Sequence, residues 1–205
     1  MGKRRLEDAI QKVDQSIEVE YRSFELDPAM EWDVVYNIYE KLANKYGMSV
    51  EQAKANIKNM VQMAQGAGLD FQMDTLVLTN TFDAHRLTML AKQKGLAHEM
   101  EERLFKAHYT ESKHIGDHQT LIQLAEEVGL DPSRVEELLN SDLMSDQVRA
   151  DEQEATQLGI KSVPYFLIDR EYAITGAQST EAFVQLLQKV IDGDGKDTNE
   201  STRLI

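Results

Sequence analysis

The period of hydrophobic residues changes twice along this chain of 205 residues, and the order of those changes restricts the fold more than any other feature. Near the start, Ile17, Val19 and Tyr21 alternate with Glu18, Glu20 and Arg22, which is the period of a half-buried strand. Far downstream, residues 163–168 form a β-rich apolar run, and Tyr172, Ala173 and Ile174 follow it across Asp169, Arg170 and Glu171 as the second arm of a hairpin. Nearly everything between these two places carries helical period. The strand-bearing ends are each too small to fold separately. They therefore belong to one sheet-bearing domain with a block of helices inserted in it.

Individual boundaries follow from capping and turn residues. Leu6, Ala9, Ile10, Val13 and Ile17 make the stripe of a first helix that has no capping residue before it. Lys3, Arg4 and Arg5 place positive charge at the positive end of its dipole, which is locally unfavourable. The first strand extends to Arg22, with Phe24 to Leu26 as a continuation, and ends at Asp27-Pro28. A helix with its stripe from Val34 to Tyr46 stops at Gly47, and the next is capped by Ser49 with Gln52 as capping-box partner. Residues 71–78 read as a short strand or a loop. Further helices cover 83–94, 96–109, 117–128 and 145–158, with a short one opened by Asp131 and Pro132. Ser179 or Thr180 caps a last helix with Phe183, Leu186, Leu187, Val190 and Ile191 on its stripe.

Composition excludes several classes of function. The net charge of −14 opposes binding to nucleic-acid phosphates or to an anionic membrane surface. No apolar run is long enough to span a bilayer and no secretory signal opens the chain, so it reads as a cytoplasmic protein. It contains no cysteine, and so no disulfide, thiolate metal site or thiol nucleophile of its own. His114 and His118 stand four apart, a spacing that can bind zinc. No Glu-His arrangement accompanies them, so they read as a solvated pair, and no metal site is expected. The acidic clusters read as solvated helix faces, and the nine methionines as core filling.

The order of elements resembles the α/β thioredoxin-like fold with an inserted all-helical subdomain, as in DsbA-like proteins, and within these the FrnE-like branch of the DsbA-family thiol–disulfide oxidoreductases. Five stretches carry the resemblance: residues 2–7 (starting at Gly2), 21–28 (ending at Pro28), 80–87 (from Asn80 to Leu87), 159–166 (containing Val163-Pro164) and 174–178. The resemblance as a whole covers roughly residues 2–191. The division this implies is a thioredoxin-like domain from 1–30 and 159–192, a helical insertion at 31–158 and a disordered tail at 193–205.

In that family a first strand and a Cys-Pro-x-Cys motif directly precede the segment that resembles residues 2–7. Both are absent here, so by the resemblance the chain reads as one lacking its active front end through an internal start, or else as a genuine cysteine-free product. The strands at 17–22 and 164–168 would then lose a shared neighbour, and the bare edge would favour a homodimer.

The resemblance implies thiol–disulfide oxidation, reduction or isomerisation on peptides or low-molecular-weight thiols such as glutathione, with no cofactor. The chain as given lacks the nucleophile. Pro164 is the implied cis-proline of the catalytic site, and the Val163 backbone the implied partner of an extended substrate. The other reading of Pro164 is a trans proline opening an edge strand. Asn80 and His85, from the insertion motif, are candidate substrate-binding residues, and His85 could instead cap a helix. Lys3, Arg4 and Arg5 would either raise the potential at such a site or form an exposed basic patch. Two rival functions remain: a glutathione-dependent isomerase of the 2-hydroxychromene-2-carboxylate type, and a non-catalytic module that binds peptide or glutathione.

Overall fold

The computed structural model describes residues 1–193 and 202–204. In chain order the elements are α1 (Gly2–Ile10), β1 (Ile17–Val19), α2 (Ile38–Tyr46), α3 (Val50–Gln65), α4 (Phe82–Gln93) and α5 (Ala97–Phe105). A π-helical turn (Lys106–Thr110) continues α5, followed by α6 (His118–Glu127), α7 (Pro132–Leu139), α8 (Ser145–Gln157), β2 (Tyr165–Ile168), β3 (Tyr172–Thr175), α9 (Thr180–Gly193) and β4 (Thr202–Leu204). Two units result: Met1–Arg22 with Ala155–Ile205, and Ser23–Glu154.

The first unit holds a four-stranded sheet in the order β1-β4-β2-β3. β1 and β4 are parallel, with Ile17 opposite Thr202 and Val19 opposite Leu204. β2 is antiparallel to both of its neighbours, meeting β4 at Ile168–Leu204 and β3 along its full length. The β2–β3 hairpin closes through Asp169 and Arg170, which adopt φ of 48° and 61°. Two consecutive left-handed residues give the turn whose twist matches the strands it joins. Leu6 and Ala9 of α1 and Phe183, Leu187 and Val190 of α9 pack with Phe166, Ile168 and Leu204 into one core cluster. Phe166 meets Phe183 edge to face at 4.8 Å.

β4 corrects two expectations. The strands at 17–19 and 165–168 do share a neighbour, supplied by residues 202–204, so the bare edge that was to drive self-association carries β4. The segment expected to be a disordered tail begins at Gly193, which ends α9, and includes β4; its other residues lie outside the described ones. Alternation explains the strand locally, since Thr202 and Leu204 are both buried, at 3% and 1% exposure.

The second unit is helical, and caps set its boundaries. Ser49 and Gln52 form the expected capping box on α3, and Asp131 caps α7 with Pro132 in its first turn. α2 begins four residues later than the apolar stripe suggests. Asn37 accepts from the Glu40 N–H at 3.0 Å and Glu40 answers at the Asn37 N–H, which fixes the start at Ile38 and leaves Val35 outside, fully exposed. Residues 24–26 are not strand; the segment is bound to α8 instead, where the Ser23 N–H donates to Asp151 at 2.8 Å and Arg149 pairs with Glu25 at 2.6 Å. Those bonds place the chain from Ser23 onward in the helical unit, ahead of the expected boundary at residue 30. The core is built from Leu87 and Leu90 of α4, Met100 of α5, Leu121 and Leu124 of α6, and Val135 and Leu138 of α7.

Candidate functional site

In the first unit the N-terminal end of α1 and the approach to β2 come together. Gly2 is buried, and a Cβ built on it would stand 3.0 Å from Pro164 Cγ and 3.1 Å from Phe166 Cζ. Glycine is what permits this approach of a helix end to a proline ring. The Val163–Pro164 peptide bond is cis. The Pro164 carbonyl faces the hairpin and accepts from the Gly176 N–H at 2.8 Å. Val163 is 42% exposed, and among the described residues neither its N–H nor its carbonyl has a hydrogen-bond partner. A backbone unit with both groups open can take an extended chain by main-chain pairing.

The basic residues beside this end are engaged. Lys3 and Arg4 both reach Glu7, at 2.5 Å and 2.8 Å, and Lys3 lies over the Tyr21 ring at 5.8 Å. Burial pushes the Glu7 carboxyl up, but the bonds and charges of Lys3 and Arg4 together outweigh it, and its pKa falls below the ordinary value. Arg5 donates to the carbonyls of Ala177 at 2.5 Å and Gln178 at 3.2 Å, tying α1 to the turn after β3. The three cations therefore hold the helix in place as well as adding positive potential. Met1 provides no side-chain cap, as the sequence implied.

Asn80 and His85 belong to the second unit. Asn80 is buried with its amide spent on the scaffold: Nδ2 donates to the Met30 carbonyl at 3.0 Å and Oδ1 accepts from the Phe82 N–H at 2.8 Å. Burial drives the His85 imidazole down to about 4; nearby Glu152 and Asp151 oppose this and Arg149 adds to it. His85 is thus neutral at neutral pH. His114 and His118 separate to different partners, the Trp32 carbonyl at 3.1 Å and Asp83 at 3.0 Å. No cluster of three or more potential metal ligands occurs among the described residues.

Sequence reasoning missed the most heavily bonded side chain of the motif at 80–87. Arg86 is buried and pairs with Asp83 at 2.7 Å. Its remaining donors reach the carbonyls of Leu143 at 2.9 Å and Leu138 at 2.5 Å, and that of Ser141. It thereby adds donors to carbonyls at and beyond the end of α7, where a helix runs out of its own N–H groups. The i,i+3 spacing of Asp83 and Arg86 was the available signal. Also missed was the pair formed by Glu25 and Arg149. Glu25 has a side chain 1% exposed and an Oε1 without a partner among the described residues. Burial raises its carboxyl, Arg149 opposes and Glu152 reinforces.

Known proteins place this geometry. A family model described as DSBA-like thioredoxin domain matches residues 1–188. The crystal structure of a probable DsbA oxidoreductase, SCO1869 from Streptomyces coelicolor, superposes with a TM-score of 0.90 at 36% identity, covering 96% of this chain and 86% of that one. The cytosolic disulfide reductase DsbM from Pseudomonas aeruginosa, solved with GSH, shares the fold at a TM-score of 0.65 and 16% identity, over 93% of this chain and 92% of its own. Uncharacterized protein YwbO of Bacillus subtilis (strain 168) is 35% identical over 94 residues, and the match spans 45% of this chain and 46% of YwbO. No described helix is long and apolar enough to cross a membrane.

Proposed function

Because the chain belongs to the DSBA-like thioredoxin domain family, we propose that it is the substrate-binding body of a FrnE-like thiol–disulfide oxidoreductase, with the Val163 backbone and Pro164 receiving an extended peptide or a low-molecular-weight thiol such as glutathione. The open Val163 backbone beside Pro164 and the close-packed end of α1 carries the reading. Glutathione, a short peptide with a free main chain, is a natural fit to such a backbone, and the GSH bound to DsbM supports that class of ligand.

The chemical step needs sulfur. In thiol–disulfide exchange a thiolate attacks one sulfur of a disulfide, and the other sulfur leaves as a thiolate. These 205 residues contain no cysteine, so they bind and orient but supply neither the attacking nor the resolving thiol. The positive end of α1, beside Pro164, is where a thiolate presented to the site would be stabilised.

Calorimetric titration with reduced glutathione, oxidised glutathione and a short extended peptide tests the proposal, alongside a disulfide-reduction assay. Saturable binding of at least one ligand with no turnover by this chain is expected. Failure of all three to bind rejects the binding role, and turnover without an added protein thiol rejects the assignment of the chemistry.

A further inference from the structure

Pro164 is gripped from two sides by one helix of the first unit. On one side Gly2 abuts its ring, where even a Cβ would stand 3.0 Å from Cγ. On the other, α1 reaches the Pro164 carbonyl through the turn that follows β3. Arg5 Nη1 carries two N–H groups, and they donate to the carbonyls of Ala177 at 2.5 Å and Gln178 at 3.2 Å. Gly176, next to Ala177, donates its N–H to the Pro164 carbonyl at 2.8 Å. Between these ends the turn is closed on itself: the Gln178 N–H donates to the Gly176 carbonyl at 3.0 Å, and Gln178 Nε2 to the Thr175 carbonyl at 2.9 Å. A turn braced in this way moves as a unit, so a shift at Ala177 is passed to Gly176 and from there to Pro164.

Charge pairing does not explain an arginine at this place. Its neighbours Lys3 and Arg4 pair with Glu7, whereas Arg5 has no carboxylate partner at ion-pair distance among the described residues. It stands near the start of α1, and the carbonyls it holds lie just ahead of α9, so it lies at the positive ends of two helix dipoles. What it supplies is the pair of donors.

We propose that Arg5 is a positioning residue, which holds the Val163–Pro164 backbone in its ligand-receiving geometry through the turn at residues 175–178. The role rests on the reading of Val163 as the backbone that receives the ligand. Arg5 makes no bond to that backbone itself; it acts through Ala177, Gln178 and Gly176. Val163 and Pro164 share a peptide bond, so fixing the ring and the carbonyl of Pro164 sets the direction in which the Val163 N–H and carbonyl point. Main-chain pairing with an extended ligand needs both groups aligned. Freeing the turn therefore weakens binding without removing any group that touches the ligand, because the backbone is no longer pre-organised.

Two variants of the full chain separate this role from a merely structural one. Arg5→Met keeps a long side chain and removes the donors, and Arg5→Lys restores N–H groups near the same place. Without ligand, hydrogen exchange at the Gly176 amide is expected to be about tenfold faster in Arg5→Met than in the parent, while the amides of Leu187 and Val190 in α9 stay within about twofold. Arg5→Lys is expected to recover most of the protection. Unchanged exchange at Gly176, or equal acceleration in α9, overturns the proposal. With glutathione or a short extended peptide as the probe, Arg5→Met is expected to bind about tenfold more weakly than the parent, and Arg5→Lys nearly as well as the parent. Equal binding by the parent and Arg5→Met overturns the positioning role. Failure of the parent to bind either probe rejects the reading of Val163 and the proposal with it, whereas failure of the proposal alone shows in a parent that binds. Should Arg5→Met fail to fold, Arg5→Gln, whose shorter side chain does not reach both carbonyls, takes its place with the same two readouts.

Discussion

The helical unit draws its core from one uninterrupted stretch, Ser23–Glu154, whereas the sheet unit is stitched from the two ends of the chain. In the helical unit helices adjacent in sequence pack together, as α2 with α3, α4 with α5 and α6 with α7 do. In the sheet unit, Ile17 must find Thr202 and Ile168 must find Leu204 before the core closes. Local contacts form at low entropic cost, and long-range pairing must first close a long loop. The open backbone at Val163 lies in the unit that is harder to close. The proposed binding backbone thus belongs to the part with the smaller core and the less local contacts.

Arg86→Ala should be the most damaging single change on the helical side. It leaves the buried Asp83 carboxylate with His118 alone and removes the guanidinium donors from the carbonyls of Leu138, Ser141 and Leu143. A loss of about 3–5 kcal/mol is expected in urea unfolding, with hydrogen exchange rising in α4 and α7 ahead of the sheet. Equal loss of protection in both units would show that they unfold as one.

Leu187→Ala makes the complementary cut. This side chain is fully buried in the sheet unit's core, and truncation should cost about 3 kcal/mol. Exchange should accelerate in β1, β2 and α9 while α6 keeps its protection.

Acid should weaken the helical unit first. His85 and His108 are both driven by burial from 6.5 to about 4, so as pH falls below 6.5 the unfolded chain takes up protons that the folded chain refuses. Stability is then lost between about pH 6.5 and 4, up to about 3 kcal/mol for each histidine. Glu25 acts with the opposite sign: its raised pKa means that the folded form binds its proton first, which returns a part of that loss as pH falls towards the ordinary carboxylate range. A pH series of melting curves on His108→Leu should show a shallower decline than the parent. An unchanged slope would contradict the burial assignment.

Gly2→Ala is the mildest of the four. Its methyl group must displace Pro164 and Phe166 by a few tenths of an ångström, at a cost of about 1 kcal/mol. Shifts in the NMR signals of the Pro164 and Phe166 rings should accompany it, and unshifted rings would show that α1 does not abut the site.

Much of this architecture could be read from the residues. The β2–β3 hairpin, the Ser49 capping box and the Asp131–Pro132 helix start each depend on a few adjacent side chains, and sequence carries such local signals faithfully. β4 was hidden because Thr202–Leu204 is a short stretch after a polar one, and only distant partners make it a strand. The start of α2 was misjudged because apolar spacing runs on through the Asn37 cap. Of the candidate site, Val163-Pro164 could be found only through the family resemblance, because the residue run alone fits a trans proline opening an edge strand equally well. For Arg86 the sequence offers only its i,i+3 spacing from Asp83; the carbonyls that bury it come from residues more than fifty positions away.

The most direct test of the account is an NMR titration of the amide of Val163 in the full chain with glutathione and with an extended peptide. A saturable shift of the Val163 signal, larger than that of amides in α6, is the predicted result. Binding that leaves Val163 unmoved while shifting signals elsewhere would contradict it.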